Sequence, residues 1–304
     1  MRILVVGAGA VGSYLTAILS GSNDVTVLAR PHQVSDMSSG GVFLDGLFET
    51  HVIPKSVNST IGLDRFDLVI LAVKSYSTDD ALSDISSCVD RSTVLLSLQN
   101  GLDNEQRMEK RFPANPIVGG TTSIGVIYHS ANQVELTGTG RTVVGGYNDA
   151  GKEAAARVAE ALSSGGLPTE VTRGIREEIW AKGIINSAIN PLTAITGLRN
   201  GSLLEVPELH EMMRAVAEES ASVARATGIT LPDDDPVARV EEVASMTAGN
   251  RSSMLQDILN GRRTEVDAIN GALARTGEAV GVPVPLNSAL RTLVLGIEMS
   301  RTLP

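Results

Sequence analysis

Aromatic side chains make up only 3% of the 304 residues, so the core has to be assembled from Leu, Ile, Val and Ala. Cysteine occurs once, at Cys88, which excludes an intramolecular disulfide and fits a reducing, cytoplasmic setting. Cys88 falls late in an expected helix and reads as a packed small hydrophobe, with an exposed thiol as the alternative. Positive charge is in short supply, and the formal net charge is −10. An acidic chain gains nothing from counterion release on a phosphate backbone and is repelled by anionic bilayers. Neither nucleic acid nor a membrane is therefore expected as a partner. Long apolar runs are missing too. The longest plain one, residues 68–73, has strand length and falls far short of the roughly 18–20 residues of a membrane span. The four histidines, at 32, 51, 129 and 210, stand apart from other ligand types, so no metal is expected.

What is present is enough for two domains. The chain is 42% hydrophobic and 20% charged, which allows a sizeable core, and its length suits two units of about 100–200 residues. The first half alternates between strands and helices. Residues 3–6 read as a buried parallel strand, and Val11, Leu15, Ile18 and Leu19 then make one helical face that Gly21 ends. Further apolar strands are expected at 25–29, 67–73 and 93–98. Pieces at 121–127, 133–136 and 141–144 read as strands extending the same sheet, followed by a helix at 152–162 and a strand at 169–172. Beyond residue 174 helical patterns take over, at 175–190, 208–227, 236–247, 253–259 and 265–280. The expected fold class is α/β, with an N-terminal domain at 1–172 and a mostly helical domain at 173–304.

The strongest motif is Gly7-Ala8-Gly9-Ala10-Val11-Gly12, which follows the first strand and opens the first helix. The first glycine allows a tight turn, the second lets the backbone approach a pyrophosphate, and the third permits close helix–strand packing. Free N–H groups at the helix start suit phosphates. A Rossmann-type dinucleotide-binding domain follows from that context. The second strand ends at Arg30 rather than at the Asp or Glu usual for NAD. A guanidinium there suits a 2′-phosphate, so NADP (NADPH) is expected ahead of NAD, with a solvated surface arginine as the alternative.

In the second half, Lys182, Asn186 and Asn190 recur every fourth residue on a helix that runs into Pro191. Trp180, Ile184, Ala188 and Ile189 form its apolar side. Burying a lysine and two asparagines is costly without partners, so the stripe suits either a concave site for a polar ligand or an exposed face. Ser253 with Gln256 fits a capping box, and Thr264-Glu265 fits a helix start with an acid in its first turn.

In this order, the glycine turn, Lys182-x3-Asn186-x3-Asn190-Pro191-Leu192-Thr193, Asn250-x2-Ser253-Met254-Leu255-Gln256-Asp257 and Thr264-Glu265-Val266-Asp267 resemble the ketopantoate reductase family, from Ile3 to about Pro285. The resemblance implies NADPH-dependent reduction of 2-dehydropantoate to (R)-pantoate, on the route to pantothenate and coenzyme A. It implies that Lys182 is the general acid, and that Glu265 orients it or bonds the substrate hydroxyl and cofactor ribose. It assigns Gly7, Ala8, Gly9, Ala10, Val11, Gly12, Arg30, Lys74, Asn100, Gly125 and Glu265 to the cofactor. The small-molecule substrate falls to Lys182, Asn186, Asn190, Asn200, Asn250 and Ser253. Three alternatives stay open: a related dehydrogenase acting on another 2-keto acid, a non-catalytic nucleotide sensor, and use of NAD. Pairing into a homodimer is equally open.

Overall fold

The computed structural model describes residues 1–300. Two compact units emerge: Met1–Gln99 with Asn104–Ile175, and Asn100–Asp103 with the described residues from Arg176 onward.

The first unit runs β1 (Arg2–Val6), α1 (Ala10–Leu19), β2 (Asp24–Leu28), α2 (Pro31–Gly40), β3 (Val42–Gly46), β4 (Thr50–Val52), β5 (Lys55–Val57), β6 (Leu68–Leu71), α3 (Thr78–Asp84), β7 (Val94–Ser97), α4 (Asn104–Arg111), β8 (Ile117–Thr122), β9 (Gly125–Ser130), β10 (Gln133–Gly138), β11 (Thr142–Gly146), α5 (Asp149–Ser164) and β12 (Thr169–Val171). Its main sheet has the order β12-β11-β8-β7-β6-β1-β2-β5. Strands β5, β2, β1, β6, β7 and β8 run parallel, and β11 turns antiparallel against β8. Alternation along β1 sends Ile3 and Val5 into one core and Leu4 and Val6 into the core on the other face. Both faces are buried, which is why these strands read as continuous apolar runs. The chain winds outward from β1 to β2 and β5, then returns to β6 on the other side. The carboxyl ends of β1 and β6 thus form a topological switch point, where open α/β sheets bind ligands.

Three expectations change in this unit. Strands β9 and β10 do not extend the main sheet. They join β3 and β4, which the sequence pattern did not reveal, in a second sheet of order β4-β3-β10-β9. The piece expected at 121–127 is split between β8 and β9. Burial explains the division. Strand β8 is covered on both sides, whereas β9 and β10 alternate between covered and open residues, as one-faced strands do. Helix α1 lies against this second sheet as well as the first, so Gly12 through Leu19 are all buried rather than one face only. Cys88 is buried, and its thiol donates to the Ile85 carbonyl at 3.3 Å.

The second unit is helical: α6 (Ile175–Thr196), α7 (Ser202–Glu205), α8 (Pro207–Ala226), α9 (Pro236–Met246), α10 (Ser253–Leu259), α11 (Asn270–Val280) and α12 (Pro285–Ser300). Its core gathers Ile184, Ala188 and Leu192 from α6, Met213, Val216 and Ala217 from α8, and Val240 from α9. Here too the structure corrects the sequence. Helix α6 passes through Pro191 instead of ending there. Ser252, not Ser253, caps α10, with its hydroxyl accepting from Leu255 N–H at 3.1 Å. Residues 265–269 form turns, and α11 begins only at Asn270, so Glu265 is not a first-turn helical acid. Among the described residues no helix is long and apolar enough to cross a membrane.

Candidate active site

The turn after β1 shows what each glycine does. Gly7 has φ +106°, and a Cβ there would lie 2.8 Å from Val73 Cγ1, just past β6. A Cβ on Gly12 would lie 1.8 Å from the Gly7 carbonyl oxygen, so the first turn of α1 closes on the strand only with glycine. A Cβ on Gly9 would meet nothing within 4 Å. That side of the turn is open, and Gly9 starts α1 with no side-chain cap. A strained turn, a close-packed third glycine and an open second glycine at an uncapped helix start fit a dinucleotide's diphosphate. The Gly7 N–H donates to the Leu28 carbonyl at 2.9 Å, tying the turn to the end of β2.

Three more residues expected at the cofactor belong to the same unit as this turn. Arg30 is exposed at the start of α2, Lys74 is half-buried after β6, and Gly125 opens β9. Sequence reasoning missed two supporting glutamines. Gln99 donates to the Val73 carbonyl at 2.8 Å and to Thr78 Oγ1 at 2.9 Å, holding the backbone that backs Gly7. Gln33 donates to the Ala8 carbonyl at 2.9 Å. Its position three residues after Arg30, where capping glutamines occur, was the available signal.

In the second unit, Lys182 and Asn186 are half-buried and Asn190 is 6% exposed, so the stripe is not a solvated face. Buried Thr193 continues the line, its hydroxyl 2.7 Å from Ser252 Oγ. The cap of α10, and Ser253 beside it, are thereby tied to α6. Asn200 is also buried; its N–H donates to the Asn250 carbonyl at 3.0 Å and its side-chain amide to Thr247 Oγ1 at 2.9 Å. Its Oδ1 has no partner among the described residues. Asn250 and Ser253 themselves are exposed. Asn100 donates to Glu265 Oε2 at 3.1 Å across 165 residues of sequence, and Glu265 is 6% exposed. The Leu102 N–H to Ala268 carbonyl bond of 3.3 Å and the Asp103–Arg275 ion pair of 3.5 Å hold the Asn100 segment in place. Two sets of expected residues are therefore each joined by direct bonds: Asn100 with Glu265, and Asn200 with Asn250.

A glycine turn at the switch point of a parallel sheet, with a helical unit that carries a largely covered Lys–Asn–Asn stripe, defines a dinucleotide-binding α/β oxidoreductase. Residues 3–149 match the family model described as ketopantoate reductase PanE/ApbA, and residues 174–298 match that of its C-terminal part. The chain belongs to the ketopantoate reductase family, whose members are NAD(P)-dependent oxidoreductases. It is 38% identical over 295 residues to the 2-dehydropantoate 2-reductase of Pyrococcus horikoshii, covering 97% of this chain and 96% of that one. Among solved structures it is similar to a PanE/ApbA family ketopantoate reductase from Ralstonia eutropha, with TM-score 0.91, 31% identity and full coverage of both chains. It is equally similar to D-mandelate dehydrogenase in its ternary structure with NADH and anilino(oxo)acetate, with TM-score 0.93, 30% identity and full coverage of both chains.

Proposed function

We propose that this chain reduces 2-dehydropantoate to (R)-pantoate with NADPH, as a step toward pantothenate and coenzyme A, with Lys182 as general acid. We assign residues 1–172 to the cofactor and 173–304 to substrate and catalysis. The observation that carries the reading is the withdrawal of the Lys182, Asn186 and Asn190 stripe from solvent. The stripe sets one compact cation and two neutral amides in line on α6, the charge and the donors that a keto acid calls for. Full-length relatives named for this reaction supply the substrate.

When bound, the reduced nicotinamide supplies hydride to the ketone carbon. Lys182 Nζ stabilises the negative charge that develops on the carbonyl oxygen and donates its proton there. A compact ammonium with three donors suits both tasks. Asn186, Asn190, Asn200, Asn250 and Ser253 hold the hydroxyl and carboxylate as neutral partners, fixing orientation while Lys182 supplies charge. Glu265, fixed by Asn100, orients Lys182 or bonds the substrate hydroxyl and the cofactor ribose. Gly7, Gly9 and Gly12 shape the diphosphate turn, and Arg30 takes the 2′-phosphate.

The test is turnover of the Lys182→Ala enzyme with 2-dehydropantoate. A large fall in kcat with retained NADPH binding is expected, and near-normal turnover removes Lys182 from the mechanism. The likeness to an NADH-bound D-mandelate dehydrogenase favours a second reading, reduction of another 2-keto acid with NADH. Benzoylformate, the keto acid of mandelate, separates the two when kcat/KM is compared with each cofactor.

A further inference from the structure

Gln33 joins three parts of the first unit that are distant in sequence. Its Oε1 accepts from the Arg30 backbone N–H at 3.2 Å. Its Nε2 donates to the Ala8 carbonyl at 2.9 Å and to the Tyr128 hydroxyl at 3.3 Å. Ala8 lies inside the glycine turn, Arg30 at the start of α2, and Tyr128 on β9 of the second sheet. Gripping the Ala8 carbonyl fixes the plane of the Ala8–Gly9 peptide, and so the direction of the Gly9 N–H, because the peptide is rigid. The same side chain holds the backbone of Arg30, whose own guanidinium is exposed. Pro31, following Arg30, limits the remaining freedom of that backbone.

We infer that Gln33 is a positioning residue for cofactor selection: it sets Arg30 at a fixed distance from the diphosphate turn, braced from the second sheet by Tyr128. A cofactor that carries both a diphosphate and a 2′-phosphate must meet both features at once. One lacking the 2′-phosphate needs only the turn. Gln33 therefore matters more for NADPH than for NADH, and acts through the position of Arg30. Glutamine is required because the clamp donates to a carbonyl and accepts from an N–H; glutamate has no hydrogen to give Ala8. The inference rests on the reading that Arg30 takes the 2′-phosphate.

Dissociation constants of the full-length protein for NADPH and NADH, from fluorescence titration, test it on Gln33→Ala, Gln33→Glu, Tyr128→Phe, Arg30→Ala and the double variant Arg30→Ala/Gln33→Ala. Loss of the clamp is expected to weaken NADPH about 5–20-fold, the range one or two lost hydrogen bonds produce. NADH is expected to change less than about 2-fold, since only the turn's support is lost. Gln33→Glu should match Gln33→Ala, and Tyr128→Phe should move in the same direction by less. In the Arg30→Ala background, Gln33→Ala should add no further loss of discrimination, because both act on one contact. Equal weakening of both cofactors, or none, overturns the inference while leaving Arg30 in place. An Arg30→Ala protein that keeps its NADPH preference overturns the Arg30 reading instead, and with it the route assigned to Gln33.

Discussion

The side-chain amide of Asn270 donates to the Ser187 carbonyl at 3.0 Å, and Ser187 is the acceptor that Pro191 leaves without its helical N–H. The same nitrogen donates to Asn287 Oδ1 at 2.9 Å. Asn287 in turn donates to Glu219 Oε1 at 2.8 Å and to Ser220 Oγ at 3.1 Å. Asn270 and Asn287 are wholly buried. A helix carrying a proline near its C-terminal end is thus repaired by a side chain from the start of α11. Asn270→Ala strands the Ser187 carbonyl and should cost about 1–3 kcal/mol, the range for an unsatisfied buried group. Adding Pro191→Ala returns a backbone N–H to Ser187 and should recover part of that loss. Urea midpoints of the single and double variants measure it, and a double variant no better than Asn270→Ala alone would sink the explanation.

Gly9 and Gly12 should fail differently. Gly12→Ala drives a Cβ into the Gly7 carbonyl, against backbone that has nowhere to move. A loss of at least about 1–3 kcal/mol is expected, as for overpacked cores. Gly9→Ala meets no protein atom, so the melting temperature should stay near that of the wild type while dinucleotide binding weakens. Thermal unfolding together with NADPH titration distinguishes them; equal loss of stability in both would show that the open side of the turn is not kept for a ligand.

Glu265 and Asn100 should act as a pair. Glu265→Ala is expected to reduce kcat less than Lys182→Ala does, with a raised KM for substrate. Asn100→Ala frees the Glu265 carboxylate from its 3.1 Å donor and should shift the same parameters by less. Steady-state kinetics on both singles and the double then give a coupling; strict additivity would mean the two do not work through one contact.

Asp90 gives a pH prediction. The Ser92 hydroxyl, the Arg65 guanidinium and the Ser92 N–H bond its carboxylate and hold its pKa well below the ordinary carboxylate range. A carboxyl depressed in the folded state contributes stability above its unfolded value of about 3.9, and loses it as pH falls toward the folded value. Asp90→Asn should therefore lower the melting temperature at pH 7, with the gap to wild type narrowing below about pH 4. A gap that stays constant down to pH 2 would assign the loss to the turn's shape and not to its charge.

The legible parts of this protein are those that depend on near neighbours in the chain. Three glycines at fixed spacing after an apolar strand specify the turn, because φ at Gly7 and the gap at Gly12 are local requirements. Spacing of four sets Lys182, Asn186 and Asn190 along one side of α6 before any fold is known. The short strands were less legible. The pattern found β10, ran the end of β8 and the start of β9 together as one piece, and missed the second sheet, because pairing with β3 is a choice among partners far apart in sequence.

Periodicity alone left the stripe open between a solvated face and a site, since a helix shows the same spacing on either side. Packing withdrew it from water and tied Thr193 to Ser252. Proline at 191 argued for a helix end, yet the helix continues, and a buried amide from residue 270 takes up the carbonyl that the proline leaves open. The Asn100–Glu265 and Gln33–Ala8 bonds have the same character. Each joins groups whose individual chemistry is ordinary, and their meaning comes from a chain path that local propensity does not encode. Short-range sterics wrote the glycine turn and the helix faces into the sequence, while long-range packing chose which polar groups would meet.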